Sequence, residues 1–213
     1  MMRIFDQKQL GKHFQTNQLS YLFILILFLM GLIFGAIIVV TMHFTQKQDI
    51  IFYLNRYFEQ MHEPLRFINH ELFKSALYSH LQYLIIFFLL GLSIIGLPII
   101  WSIVFVKGTF IGFSVGFFVY QYGFRGLLFI SSALLPQNIL IIPVYIFAGT
   151  IAMIFSGELL KKLSGRRLSR FTLEPVIQYA ILFIGLTLIV VIAALIEGYL
   201  TSSILQYTIE LIN

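Results

Sequence analysis

The sequence predicts an all-α fold: a polytopic membrane helical bundle of about five transmembrane helices, with a broken fourth helix and an amphipathic extracytoplasmic segment. Five apolar runs carry this reading, at 21–42, 83–106, 108–124, 126–157 and 176–196, and none contains an Asp, Glu, Lys, Arg or His. Composition agrees, since 59% of the 213 residues are hydrophobic, 23 are Phe and only 11% are charged, far from the balance of a water-soluble domain. A spanning helix needs about 20 apolar residues, with roughly 17 as the lower bound, so every run is long enough. The chain reads as a single integral membrane domain, 1–213. It divides into a cytoplasmic head at 1–18, an extracytoplasmic amphipathic segment at 43–82, a cytoplasmic basic loop at 158–175 and an extracytoplasmic tail at 197–213.

The first run is too long for a signal-peptide core and no small-residue cleavage pattern follows it, so it is expected to remain as an anchor. Segment 43–82 is polar overall yet amphipathic. Ile50, Ile51, Leu54, Tyr57, Phe58 and Met61 fall at helical spacing, and Leu65, Ile68, Leu72, Phe73 and Ala76 repeat the pattern after Pro64. Two helices along the outer face of the bilayer would bury both stripes, against the bundle or against a partner. In the second run Pro98 lacks an N–H and crowds the carbonyl of Ile94, which predicts a kink. Lys107 is expected at the turn between spans two and three, its ammonium snorkelling to the interface.

Span three carries Gly108, Gly112 and Gly116 at four-residue spacing, which stacks them on one helix face where a neighbouring backbone can approach. That neighbour is either another helix of this chain or a second copy, so a homo-oligomer stays open. Run four exceeds one span and has Leu135-Pro-Gln-Asn-Ile-Leu-Ile-Ile-Pro143 at its centre. Pro136 and Pro143 interrupt the helical hydrogen-bond ladder, and the Gln137 and Asn138 amides can satisfy freed groups or reach across to another helix. The expectation is either a broken helix or a short re-entrant leg followed by a span. The next loop holds Lys161, Lys162, Arg166, Arg167 and Arg170, which suits topogenic charge and contact with anionic membrane lipids.

With the N-terminus cytoplasmic, the inner segments hold nine of the fourteen Lys and Arg residues, counting Lys107, which satisfies the positive-inside rule. Five spans then place the C-terminus outside. The basic residues flank membrane spans instead of populating a polar domain, so nucleic acid is not an expected partner. No Cys is present, which excludes disulfides and thiol chemistry. His62-Glu63 and His70-Glu71 lack the second His of a zinc helix, because Arg66 and Lys74 occupy those places. The serines of the apolar runs have no ionisable neighbour in their own runs to act as a base. Neither catalysis nor a cofactor is expected.

The stretch from Gly96-Leu-Pro98 to Lys107-Gly-Thr-Phe-Ile-Gly-Phe-Ser-Val-Gly-Phe, then Leu135 to Pro143 followed by Ala148-Gly149, resembles the stage II sporulation protein M family. Many wider relatives have Pro-His-Gly-Ile-x-Glu-x-Pro in the second motif; Gln137, Asn138 and Ile141 stand here in the His, Gly and Glu places. That departure removes the motif's ionisable groups and leaves a packing or assembly role for Gly108, Gly112, Gly116, Pro136, Gln137, Asn138 and Pro143. The resemblance implies a non-enzymatic mother-cell membrane scaffold that anchors the peptidoglycan-degrading stage II sporulation proteins D and P during engulfment of the forespore. The alternative is a permease subunit whose broken fourth run lines a path and whose 158–174 loop couples to a separate ATPase.

Overall fold

Helices account for nearly every one of residues 15–60, 65–163 and 173–201, which a computed structural model of the chain describes. Most of the head, residues 61–64, the arginines of the basic loop and residues 202–213 of the tail lie outside these. The elements are α1 (Gln18–Thr41), α2 (Phe44–Gln60), α3 (Leu65–Gly91), α4 (Gly96–Leu163) and α5 (Glu174–Leu195), which continues into a π-helical turn, Ile196–Thr201. Five stretches are long and apolar enough to cross a membrane: Gln18–Thr41, His70–Gly91, Gly96–Ser132, Pro136–Lys161 and Glu174–Tyr199. The chain is therefore an all-helical polytopic membrane protein, as its apolar runs predict.

The boundaries of the second and third spans differ from the expectation. Helix α3 runs unbroken from the polar segment into the apolar run and stops at Gly91. A short turn over 92–95 follows, closed by Ser93 N–H donating to Leu90 O (3.0 Å) and Gly96 N–H to Ser93 O (3.2 Å). Gly96 is required there, because a Cβ would strike the Leu90 carbonyl. Pro98 consequently sits in the first turn of α4, where a missing N–H costs nothing, so it starts a helix instead of kinking one. Lys107 lies eleven residues inside α4, not between spans.

Helix α4 is a hairpin of two arms. Its one non-helical residue is Gly123, at φ 59° and ψ −136°, a conformation essentially reserved for glycine. Beyond it the arm 124–163 folds back along 96–122. Phe118 stacks on Phe129 at 5.3 Å, and the Trp101 indole N–H donates to Met153 Sδ at 3.1 Å. The interruption thus falls before run four, and the backbone stays helical through Pro136 and Pro143.

The core is built where the two arms meet α1, α3 and α5, with Ile24, Phe87, Ile100, Ala148, Ala152, Val190 and Ala193 fully buried. At the end holding the 92–95 turn, Tyr179 of α5 lies between Phe88 (5.1 Å) and Phe155 (4.5 Å). Its hydroxyl donates to Phe88 O (3.1 Å) and Phe87 O (3.2 Å), supplementing the terminal carbonyls of α3. Ser156 Oγ donates to Ser93 O at 2.6 Å, tying the second arm to the same turn. The apolar faces left outside, such as Leu22, Leu29, Ile33 and Ile37 of α1 and Ile184, Leu188 and Ile192 of α5, are the surfaces a bilayer would cover.

Candidate functional site

Two features stand out inside the bundle, a glycine seam and a polar cluster. The seam joins α1 to the first arm of α4, running parallel. A Cβ at Gly108 would fall on Phe28 O, one at Gly112 on Leu32 O, and one at Gly116 would come within 3.1 Å of the Ala36 Cα. From the other side, Gly31 faces the carbonyl of Phe105 and Gly35 that of Thr109. The two backbones touch directly, which side chains larger than hydrogen at these positions would prevent. Gly31 and Gly35 share the four-residue spacing of the α4 glycines, a signal the pattern of α4 alone does not reveal.

The remaining motif residues lie on the second arm. Gln137 is partly buried, and its Oε1 is shielded with no hydrogen-bond partner among the described residues. Asn138 is partly buried, Pro136 likewise, and Pro143 faces outward. Gln137, Ile141 and Tyr145 follow one another at four-residue spacing, so the motif's face leads one turn on to Tyr145. Ile141 and Tyr145 are both buried.

Tyr145 opens the polar cluster. Its hydroxyl lies 2.8 Å from His80 Nδ1 on α3, and His80 Nε2 lies 2.9 Å from Glu197 Oε2 in the π-helical turn. The Lys107 ammonium of α4 sits 3.5 Å from the Tyr83 ring centroid and 5.2 Å from that of Tyr145. The His80 side chain is 12% exposed and that of Glu197 27%, so the pair is largely withdrawn from solvent. Four parts of the chain thus converge: α3 with His80 and Tyr83, both arms of α4 with Lys107 and Tyr145, and the end of α5 with Glu197.

Depth follows from the seam. Gly108 packs against Phe28 and Leu32, the middle of α1, so the adjacent Lys107 sits near the middle of the arm 96–122. A lysine there is far from either interface and is stabilised instead by two aromatic faces, an interaction worth about 2 kcal/mol when desolvated. Glu197 lies close to the end of the span Glu174–Tyr199, so the cluster forms a ladder from the membrane boundary to its middle. The apolar runs contain no ionisable group, yet the fold brings Lys107, expected at a turn, to membrane depth. His80 precedes the second run, Lys107 separates the second and third, and Glu197 follows the fifth, so each stands outside the runs as the sequence delimits them.

A π-helix is rare and gathers at functional positions. Here the turn Ile196–Thr201 carries Glu197, while a Cβ at Gly198 would come within 2.7 Å of Phe73 Cβ and 2.9 Å of its nitrogen. Close seating of this turn on α3 is what brings the carboxylate to His80. Among the described residues no group of three His, Cys, Asp or Glu is placed to hold a metal ion.

A second polar contact lies outside the cluster. Lys47 of α2 is only 7% exposed, with its ammonium 3.7 Å from the Tyr120 ring centroid near the Gly123 reversal. This contact pins the start of α2 to the hairpin.

Comparison with known proteins identifies the bundle. No curated protein and no solved structure gives a significant match. A family model for stage II sporulation protein M matches residues 24–202, which take in the seam, the 135–143 motif and every member of the polar cluster. The chain belongs to the stage II sporulation protein M family.

Proposed function

We propose that this protein is a non-enzymatic membrane scaffold in a sporulation complex that degrades peptidoglycan, recruiting and anchoring stage II sporulation proteins D and P so that the mother-cell membrane can advance around the forespore. The observation that carries the proposal is the family match over 24–202. The architecture suits such a role. The glycine seam supports a rigid bundle, with Gly108, Gly112 and Gly116 as packing residues, and α2 offers an exposed aromatic pair, Phe52 and Tyr53, with centroids 6.0 Å apart.

The proposed orientation has a cytoplasmic N-terminus and an extracytoplasmic C-terminus. Moving Lys107 from the inner loops into the membrane leaves the Lys and Arg bias at eight to five in the same direction. The test is to purify the tagged full-length protein in mild detergent from its own host and identify co-purifying proteins by mass spectrometry. Extracytoplasmic wall-cutting proteins are the expected result. The alternative, a permease subunit, draws on the His80, Lys107 and Glu197 cluster, since ionisable groups at membrane depth often mark a transport path. A cytoplasmic ATPase that co-purifies, in place of the wall-cutting proteins, overturns the scaffold in favour of the permease.

A further inference from the structure

The cluster of His80, Tyr83, Lys107, Tyr145 and Glu197 contains every element of a proton-exchange site. Glu197, at the membrane boundary and 27% exposed, can take a proton from water. His80 bridges it to Tyr145 through contacts of 2.9 and 2.8 Å, so both ring nitrogens are engaged; with Glu197 ionised, the tautomer that completes the chain has Nε2–H donating to the carboxylate and the Tyr145 hydroxyl donating to Nδ1. Lys107 places an ammonium on the far side, partly buried against the two tyrosine rings. These are the titratable groups that face one another here from α3, both arms of α4 and the end of α5.

We propose that this cluster is an intramembrane proton-exchange site, reached from the membrane boundary at Glu197. The step is a simple proton addition. With Lys107 charged, Glu197 ionised and His80 neutral, the formal charge is zero. A proton delivered from water as hydronium forms an O–H bond on the Glu197 carboxylate and leaves a water molecule behind, while His80 Nε2–H goes on donating to the Glu197 Oε2 and the Tyr145 hydroxyl to His80 Nδ1. The cluster then carries one net positive charge at membrane depth, where unbalanced charge is unfavourable. No other bond changes and no further reactant is needed.

The inference is independent of which partners the protein scaffolds. Its test uses the full-length protein in mild detergent and dicyclohexylcarbodiimide, an apolar reagent that adds to protonated carboxyl groups, with adducts mapped by mass spectrometry of peptides. An adduct on Glu197 is expected, increasing as pH is lowered from about 8 to about 5.5 by at most about tenfold per unit, the limit for one proton. The adduct is absent in E197Q, and its yield at a given pH changes severalfold in H80N and in Y145F. Y145F removes one hydroxyl and keeps the ring, so it serves where H80N fails to accumulate. A carboxylate that is only a structural tie gives a different result. No adduct at any pH, an adduct insensitive to pH, or a Y145F profile superimposable on that of the unmodified protein would overturn the proposal.

Discussion

Substituting alanine for Gly112 adds a single methyl group at the tightest point of the α1 seam. The new Cβ would lie on the Leu32 carbonyl oxygen, 2.7 Å from its carbonyl carbon and 2.8 Å from its Cα. Carbon atoms pack best at about 3.5–4.0 Å, so α1 must retreat by roughly 1 Å, and a gap of that size forfeits about a quarter to a half of each van der Waals contact it opens. The retreat is shared by the neighbouring contacts at Gly31, Gly35 and Gly108, which lie on the same line. Overpacking typically costs about 1–3 kcal/mol. Replacing a helical glycine returns up to about 1 kcal/mol. With backbone instead of a yielding side chain as the obstacle, the net expectation is a loss of about 2 kcal/mol, or roughly 30-fold in the folding equilibrium. The assay is denaturation by SDS titration in mixed micelles, followed by circular dichroism, on the full-length protein. Two companions calibrate it: G116A, whose new methyl meets Ala36 Cα at 3.1 Å, should lose about half as much, and G185A, with nothing within 4 Å, should lose nothing. If G112A and G185A unfold within about 0.5 kcal/mol of each other, the reasoning from backbone contact is wrong.

The charged groups of the membrane cluster should couple. K107M and E197Q each remove one charge and should each destabilise the protein by about 1–3 kcal/mol, whereas the double variant should lose less than the sum, measured by the same titration as a double-mutant cycle. Y179F removes the hydroxyl that donates to Phe87 O and Phe88 O and should cost about 1 kcal/mol while leaving the ring stacked between Phe88 and Phe155. K47M severs the contact that holds α2 to Tyr120; hydrogen exchange in α2 should accelerate while that of α1 stays unchanged.

The helical membrane fold was legible because its cause is local. In hydrocarbon each backbone group must find its partner within its own helix, so long apolar runs alone announce spans. Locating the turns was harder. The segment 91–98 carries Gly91, Gly96 and Pro98, the punctuation of a chain reversal, but a proline in an apolar run also suits a kinked span. The decisive signal was the absence of any connecting residues beside Lys107: Val106 and Gly108 adjoin it directly, whereas connections between packed helices commonly need about 2–8 residues. Gly123 was equally quiet, because a glycine near the end of an apolar run gives no notice of a positive φ.

By itself, the sequence determined that this chain is helical, that it lies in a membrane, and that one face of the third apolar run can admit another backbone. Only the tertiary structure decided that α1 supplies that backbone, and that a lysine at mid-membrane is held by Tyr83 and Tyr145 while His80 meets Glu197 from far along the chain. The physical reason is separation in sequence. Hydrophobic burial is set by composition within one helix, whereas a hydrogen bond or a cation over a ring depends on which helices become neighbours, and that is settled by the reversals at 92–95 and Gly123.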